Sequence, residues 1–220
     1  PIPEARRAQV VQAADALGAA FWQQLPFAGD AMPVSADMTE LMLNRAWRPQ
    51  LTVTGIDGLP NLANAAAVMQ PGTALKLSLR LPPTLDPDAT AQHLKTLLEA
   101  EPPYGCVVSF DVHMASSGWH APATAPWLDA ALQQASQQAF GAPVALMGGG
   151  GGIPFLAMLG ERFPAAQFVV TGVLGPHSNA HGPNEFLHLP TARRVTAVVA
   201  QLLHHAADQP APSSSTEFPQ

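Results

Sequence analysis

The sequence predicts an α/β chain in two parts: an incomplete ferredoxin-like sandwich, then a layered α/β segment. Three observations predict this. Short alternating apolar runs and longer runs of helical period succeed one another along the 220 residues. Up to about residue 116 the two alternating runs are followed by a helical run and a third alternating run, most of a split βαβ sandwich. From Trp119 helices and strands alternate, the pattern of a mainly parallel sheet covered by helices. The sandwich lacks its first strand, which is expected before residue 1. The second part has two strands, too few for such a sheet, so partner strands are expected there as well.

Each element has its own signal. Residues 4–25 carry Val10, Val11, Ala14, Leu17, Ala20, Phe21 and Trp22 at helical spacing and supply one helix of the sandwich. The stretch 25–37 is broken by Pro26, Gly29 and Pro33, and a short helix follows at 39–46. Leu51 to Asp57 alternates and is rich in β-branched residues, so it is a strand, ended by Asp57-Gly58-Leu59-Pro60. Residues 74–81 put Leu75, Leu77, Leu79 and Leu81 on one face and Lys76, Ser78 and Arg80 on the other, until Pro82-Pro83 stops them. Asp86-Pro87 opens a helix to about Ala100, proline being tolerated in the first turn. A strand is expected at 104–113, a helix at 125–140, a strand at 143–147, a helix at 153–162, a strand at 167–173 and a last helix at 190–207. The tail from about Asp208, with Pro210-Ala211-Pro212 and Ser213-Ser214-Ser215, reads as disordered. No internal repeat occurs.

Composition narrows the function classes. Apolar residues make up 47% of the chain and charged residues 12%, enough for a packed core. A net charge of −6 without any basic cluster argues against nucleic acid. Cys106 is the only cysteine, which excludes an internal disulfide and implies a reducing, cytoplasmic setting. No apolar run reaches membrane-spanning length. The start, Pro1-Ile2-Pro3-Glu4, has neither an initiator Met nor a targeting segment, so the chain is expected to be a fragment.

The densest chemistry lies in Gly175-Pro176-His177-Ser178-Asn179-Ala180-His181-Gly182-Pro183-Asn184-Glu185, after the expected strand 167–173. Loops at the ends of buried strands are where open α/β folds place ligands. Gly182-Pro183 would fix the backbone beside His181, as a metal ligand requires. His177, His181 and His188 are spaced four and then seven apart, which is not a diagnostic zinc signature. The glycine run 148–152 links a strand to a helix start. It reads equally as an anion cradle or as a flexible loop, and lacks the Lys-Ser/Thr of a phosphate-binding loop. Arg80 on the polar strand face is either solvated or a guanidinium clamp for a carboxylate. Histidines such as His113 and His120 are more often surface or packing residues than ligands, and His204-His205 reads as solvated. Composition and spacing alone thus reach an α/β protein with a candidate anion site and a candidate metal site.

Five motifs in order, from Arg48 to about Leu203, resemble the C-terminal half of the carnosinase-like dizinc metallopeptidases. These are relatives of aminoacylase, succinyl-diaminopimelate desuccinylase and the glutamate carboxypeptidases. The motifs are Arg48-Pro49-Gln50-Leu51-Thr52-Val53-Thr54-Gly55-Ile56-Asp57-Gly58, Leu77-Ser78-Leu79-Arg80-Leu81-Pro82-Pro83, Gly118-Trp119, Gly151-Gly152-Ile153-Pro154-Phe155 and Ala180-His181-Gly182-Pro183-Asn184-Glu185. The resemblance implies a ferredoxin-like lid and dimerisation domain at 1–116, the C-terminal half of a catalytic domain at 117–208, and the tail 209–220. It implies that His181 ligates zinc, with Glu185 behind it. Arg80 would grip a substrate carboxylate, and His113, Gly151 and Gly152 would face the substrate. The implied activity is hydrolysis of the amide bond of dipeptides or N-acyl amino acids, with water activated by two zinc ions. The implied partners are that small substrate, a second copy through the lid, and an N-terminal catalytic half. Gly149 and Gly152 depart from the family's usual Glu-Gly-Gly-Ser/Thr-Ile-Pro. The family's His-x-Asp, bridging Asp and Glu-Glu pair are not in this sequence, so no catalytic residue is expected here and the chain alone is expected to be inactive. The other class left open is a non-catalytic dimerisation or binding module derived from that family.

Overall fold

Helix α1 (Glu4–Leu17) stops where the sequence supplies a glycine: Gly18 has φ +50°, the left-handed conformation that closes helices. The single helix expected over 4–25 is therefore two, with a short α2 at Ala20–Gln23. The computed structural model describes residues 1–23, 25, 27–149 and 153–209. Gly151, Gly152 and the tail from residue 210, which the sequence reading singled out, lie outside the described residues. Helix α3 (Met38–Ala46), strands β1 (Gln50–Asp57) and β2 (Ala74–Arg80), and helices α4 (Pro87–Ala100), α5 (Pro126–Phe140), α6 (Pro154–Arg162) and α7 (Leu189–Ala207) complete the regular structure among the described residues. This is a mixed α/β chain with seven helices and one two-stranded sheet. None of these helices is long and apolar enough to cross a membrane.

The chain divides into two units. The first comprises Pro1–Ala14, Met32–His120 and Met147–Ala157. Its buried apolar residues are Val10, Ala13 and Ala14 of α1, Met42 and Leu43 of α3, and Trp47. Asp37 starts α3 by accepting the N–H groups of Thr39 (2.8 Å) and Glu40 (3.3 Å). Arg48 fastens the turn after α3, its Nη1 donating to Glu40 Oε2 and Asn44 Oδ1, both at 2.6 Å. The Glu40 carboxylate accordingly raises the Arg48 pKa. Strands β1 and β2 form an antiparallel hairpin that pairs Leu51 with Leu79, Val53 with Leu77 and Ile56 with Leu75. A bulge between Val53 and Gly55 absorbs Thr54, so Ile56 returns to the face of Leu51 and Val53 despite the odd spacing. Gly58 (φ +83°) starts the connection between the strands, and a Cβ there would lie 2.3 Å from the Gly72 carbonyl oxygen.

Three expected strands are not strands. Segments 104–113, 143–147 and 167–173 join no β-ladder among the described residues. None of the three has a facing strand among the described residues, and in two of them side chains take up main-chain groups. Both backbone groups of Phe110 are taken by α4: its N–H donates to Glu99 Oε1 (2.7 Å) and its carbonyl accepts from Lys95 Nζ (2.9 Å). Lys95 also pairs with Glu99 at 2.6 Å, and these hydrogen bonds hold the Glu99 carboxyl below its ordinary pKa. In the second unit, the Val144 N–H donates to the side chain of Gln133 (3.3 Å). Side chains here occupy groups that a ladder would use.

The second unit comprises Asp15–Ala31, Ala121–Leu146 and Met158–Gln220. Its centre is the pair α5 and α7. Leu128, Ala131 and Leu132 of α5 are buried with Leu202 of α7, and Trp127, Val144 and Val198 pack against them. The spacing of 128, 131, 132 and 135 is the i, i+3, i+4, i+7 stripe of a helix with one buried face. Gly141 (φ +71°) ends α5 by donating to the Gln137 carbonyl. Arg194 of α7 lies over the Phe140 ring, 5.7 Å from its centroid. Segment 167–173 is tied to the start of α5 by Gln167, whose Oε1 accepts the Ala125 N–H at 2.6 Å.

Candidate functional site

The loop before α7 is built from its own hydrogen bonds. Ser178 is buried, and its Oγ accepts the Gly175 N–H at 3.1 Å. The Ser178 carbonyl accepts the Phe186 N–H at 3.1 Å, which closes the loop from 178 to 186. Inside it, Gly182 N–H donates to the Asn179 carbonyl (2.9 Å) and Asn179 Nδ2 donates to the Pro183 carbonyl (2.7 Å). The His181 N–H donates to Glu185 Oε2 (3.0 Å). His177, Asn179, His181 and Asn184 all have φ between 53° and 62–63°. Left-handed backbone at a residue with a side chain is uncommon, and Asn and His are among the residues that tolerate it.

His188 sets the far end of the loop. It caps α7, with Nδ1 accepting the Thr191 N–H (3.3 Å) and meeting the Thr191 hydroxyl (2.8 Å). Accepting a backbone N–H leaves Nδ1 without a proton, so in the neutral ring the proton sits on Nε2. A Cβ on Gly175 would fall 2.3 Å from His188 Cβ, so only glycine fits beneath the ring. The helix expected from about Pro190 starts at Leu189, and His188, weighed from spacing only as a metal-ligand candidate, is its cap, as Ser178 is the loop's buried tie. Histidine is not among the favoured N-caps. Thr191 three residues on was the available signal.

The predicted site residues fall as follows. His181 and Glu185 are brought together in the second unit, through the His181 main chain. The His181 side chain is exposed. Arg80 ends β2 opposite Gln50 and is exposed in the first unit, as is His113. Gly151 and Gly152 are outside the described residues. Of their neighbours, Gly148 is the sterically demanding one, since a Cβ there would lie 2.5 Å from Ala46 Cβ. At Gly149 a Cβ would meet nothing within 4 Å. Segments quoted separately for the resemblance meet in the first unit: β1 pairs with β2, and Gly118 sits so close to Pro83 that a Cβ would lie 2.6 Å from its Cα.

His120, two residues beyond Gly118, is exposed but held by two contacts. Its ring stands edge-on to Trp47 (centroids 5.5 Å apart, 88° between planes), and its Nε2 accepts from Arg6 Nε at 3.2 Å. Burial first, and the Arg6 charge second, lower its pKa.

As zinc-compatible donors the loop carries the imidazoles of His177 and His181 and the Glu185 carboxylate. Imidazole nitrogen is a common zinc ligand. No group of three or more His, Cys, Asp or Glu side chains comes together among the described residues. A zinc ion at this loop would need further ligands from outside it.

Fold and loop together define a mixed α/β chain with a histidine-bearing, hydrogen-bonded loop before its last helix. The chain belongs to peptidase family M20/M25/M40, whose model matches residues 8–205. This bears out the resemblance to the carnosinase-like metallopeptidases. The cysteinylglycine-S-conjugate dipeptidase of Corynebacterium striatum is 28% identical over 157 residues, covering 71% of this chain and 34% of that protein. In fold the chain is similar to the di-peptidase Dug1p from Saccharomyces cerevisiae, with TM-score 0.67, 17% identity, and coverage of 96% of this chain and 43% of that one. Human carnosine dipeptidase 1 gives TM-score 0.60 and 16% identity over 95% of this chain and 43% of its own. The M20 metallo-carboxypeptidase Sso-CP2 from Sulfolobus solfataricus gives 0.62 and 16% over 92% and 45%. The chain thus spans about a third of the curated relative and under half of the solved structures.

Proposed function

We propose that this chain forms part of a dizinc metallopeptidase that hydrolyses the amide bond of dipeptides or N-acyl amino acids. The observation that carries it is His181, in the Ala180–Glu185 motif of a chain that belongs to the family, held in a loop whose main chain is fixed on both sides. In this reading His181 is one zinc ligand, and the remaining ligands come from the rest of a longer family protein. Zinc there would supply carbonyl polarisation and a water acidified toward neutrality. The residues of this chain bind and orient. Arg80 receives the substrate's free carboxylate with its planar fork of donors. His113 and the glycines 151 and 152 line the substrate side. Residues 1–116 serve as a ferredoxin-like lid through which two copies associate, and 117–208 as the C-terminal half of the catalytic domain. The protein is read as cytoplasmic, and the isolated chain as inactive.

The test is His181→Ala in the full-length protein. The expected result is loss of about one zinc per chain and nearly all turnover, with the oligomeric state unchanged. Unchanged zinc content and turnover would remove His181 from the site.

The lack of a three-donor cluster among the described residues also favours a second reading, a dimerisation or binding module without its own catalysis. Zinc binding and peptide hydrolysis by the chain, alone and mixed with the remainder of the family fold, separate the two. Activity in the mixture supports the enzyme, and association without zinc uptake or activity supports the module.

A further inference from the structure

We propose that Asn179 and Glu185 are positioning residues that preset His181 for metal by clamping its main chain, not by bonding its ring. The inference rests on the reading of His181 as a metal ligand and adds the device that aims it.

His181 has φ +63°, a left-handed conformation that is uncommon for a residue with a side chain. Such a residue persists when its surroundings over-determine it. Two side chains do so here. Glu185 Oε2 accepts the His181 N–H at 3.0 Å across one turn of the loop. Asn179 grips the other side: its carbonyl accepts the Gly182 N–H (2.9 Å), and its Nδ2 reaches on to the Pro183 carbonyl (2.7 Å). To do so the amide lies across Gly182, where any Cβ would fall 2.6–2.8 Å from its atoms. Gly182 is thus the residue that lets Asn179 close the clamp. The backbone is held at 181, 182 and 183, which fixes the direction of the His181 Cα–Cβ bond.

Neither His181 ring nitrogen takes part in these contacts. A carboxylate commonly orients a metal-binding histidine by accepting from the ring nitrogen that faces away from the metal. Here the carboxylate holds the main chain instead, and both nitrogens are left for other partners. Asn179 and Asn184, themselves left-handed, tolerate that backbone better than most residues.

The experiment loads the full-length protein with Co²⁺ and measures its dissociation constant and visible spectrum. The variants are His181→Ala, Glu185→Ala, Glu185→Gln, Asn179→Ala and Asn179→Asp, each with a thermal melt as a folding control. Glu185→Ala and Asn179→Ala are expected to weaken Co²⁺ by about 10–100-fold, the usual effect of losing an orienting partner. Glu185→Gln is expected to stay near the parent, because its side-chain carbonyl still accepts the His181 N–H. Asn179→Asp keeps size and left-handed tolerance but loses the Nδ2 donor, and is expected to weaken binding as the alanine does; it serves if an alanine variant fails to fold. Glu185→Gln falling as far as Glu185→Ala overturns the clamp, since charge would then be acting. Full affinity in the two alanine variants, with loss only in His181→Ala, also overturns the clamp while leaving the ligand in place. Full affinity in His181→Ala overturns the reading of the site, and the clamp with it.

Discussion

At the scale of single residues, the informative histidines differ in what their nitrogens meet. His120 accepts from the Arg6 guanidinium, which requires an unprotonated Nε2, and stands edge-on to Trp47. Burial and the Arg6 charge lower its pKa from the ordinary value of about 6.5. The sign follows from linkage. The unfolded chain takes up the proton at higher pH than the folded one, so the contribution is complete above about pH 6.5 and is lost as pH falls through the folded pKa. The melting temperature of the protein should therefore drop more steeply between pH 7 and 5 than that of His120→Gln, whose side-chain carbonyl accepts from Arg6 at every pH. Parallel curves would show that the contact does not matter. The sequence marked the 175–185 loop through its density of polar groups beside Gly182-Pro183. The structural roles of Asn179, Ser178 and His188 were not legible, because they depend on a fold-back that spacing does not encode. Gly182 is a partial exception, since a glycine after His181 is what the Asn179 amide needs.

At the scale of elements, helices were legible and partnerless strands were not. The start of α4 was read from Asp86-Pro87, and Asp86 Oδ1 indeed accepts the Ala89 N–H at 2.9 Å, while the matching cap of α3, Asp37, was an unread signal. Asp86→Ala should cost about 1 kcal/mol of stability, seen as a lower urea midpoint. The buried stripe of α5 carries more. Leu128, packed with Ala131, Leu132 and Leu202, should cost about 2–5 kcal/mol on truncation to alanine. Leu203, on the neighbouring exposed position of α7, should change the same measurement by no more than about 0.5 kcal/mol. Equal effects at 128 and 203 would deny α5 and α7 their role as the centre of the second unit. The hairpin was legible because both its strands lie in this sequence. The Leu51, Val53, Ile56 spacing also held an unread sign of the bulge, a break of period two at Gly55. Segments 104–113, 143–147 and 167–173 have strand-like composition, but a strand exists only when a second one faces it. Composition reports the preference of a segment and is silent on its partners, and in two of these segments side chains bond the main chain instead.

At the scale of the whole molecule, the chain spans about a third of the curated dipeptidase it resembles. The family was legible because motif order survives where overall identity is low. The complete metal centre was not, since one imidazole does not define a coordination shell. In the proposed function the residue that meets the substrate's carboxylate is Arg80, at the end of β2 opposite Gln50. A guanidinium meets a carboxylate through two parallel N–H···O bonds, and an ammonium cannot reproduce that pairing. If Arg80 grips the free carboxylate, its effect must depend on the substrate's having one. In the full-length protein, Arg80→Lys should lower kcat/KM for a dipeptide by about 10–100-fold, the equivalent of losing one strong charged hydrogen bond of about 1.5–3 kcal/mol. For the same dipeptide with its C-terminus amidated, already a poor substrate, the substitution should change kcat/KM by less than about threefold, since no carboxylate is present to lose the fork. A loss of equal size on both substrates would mean that Arg80 supports the fold, and no loss on either would place the carboxylate elsewhere.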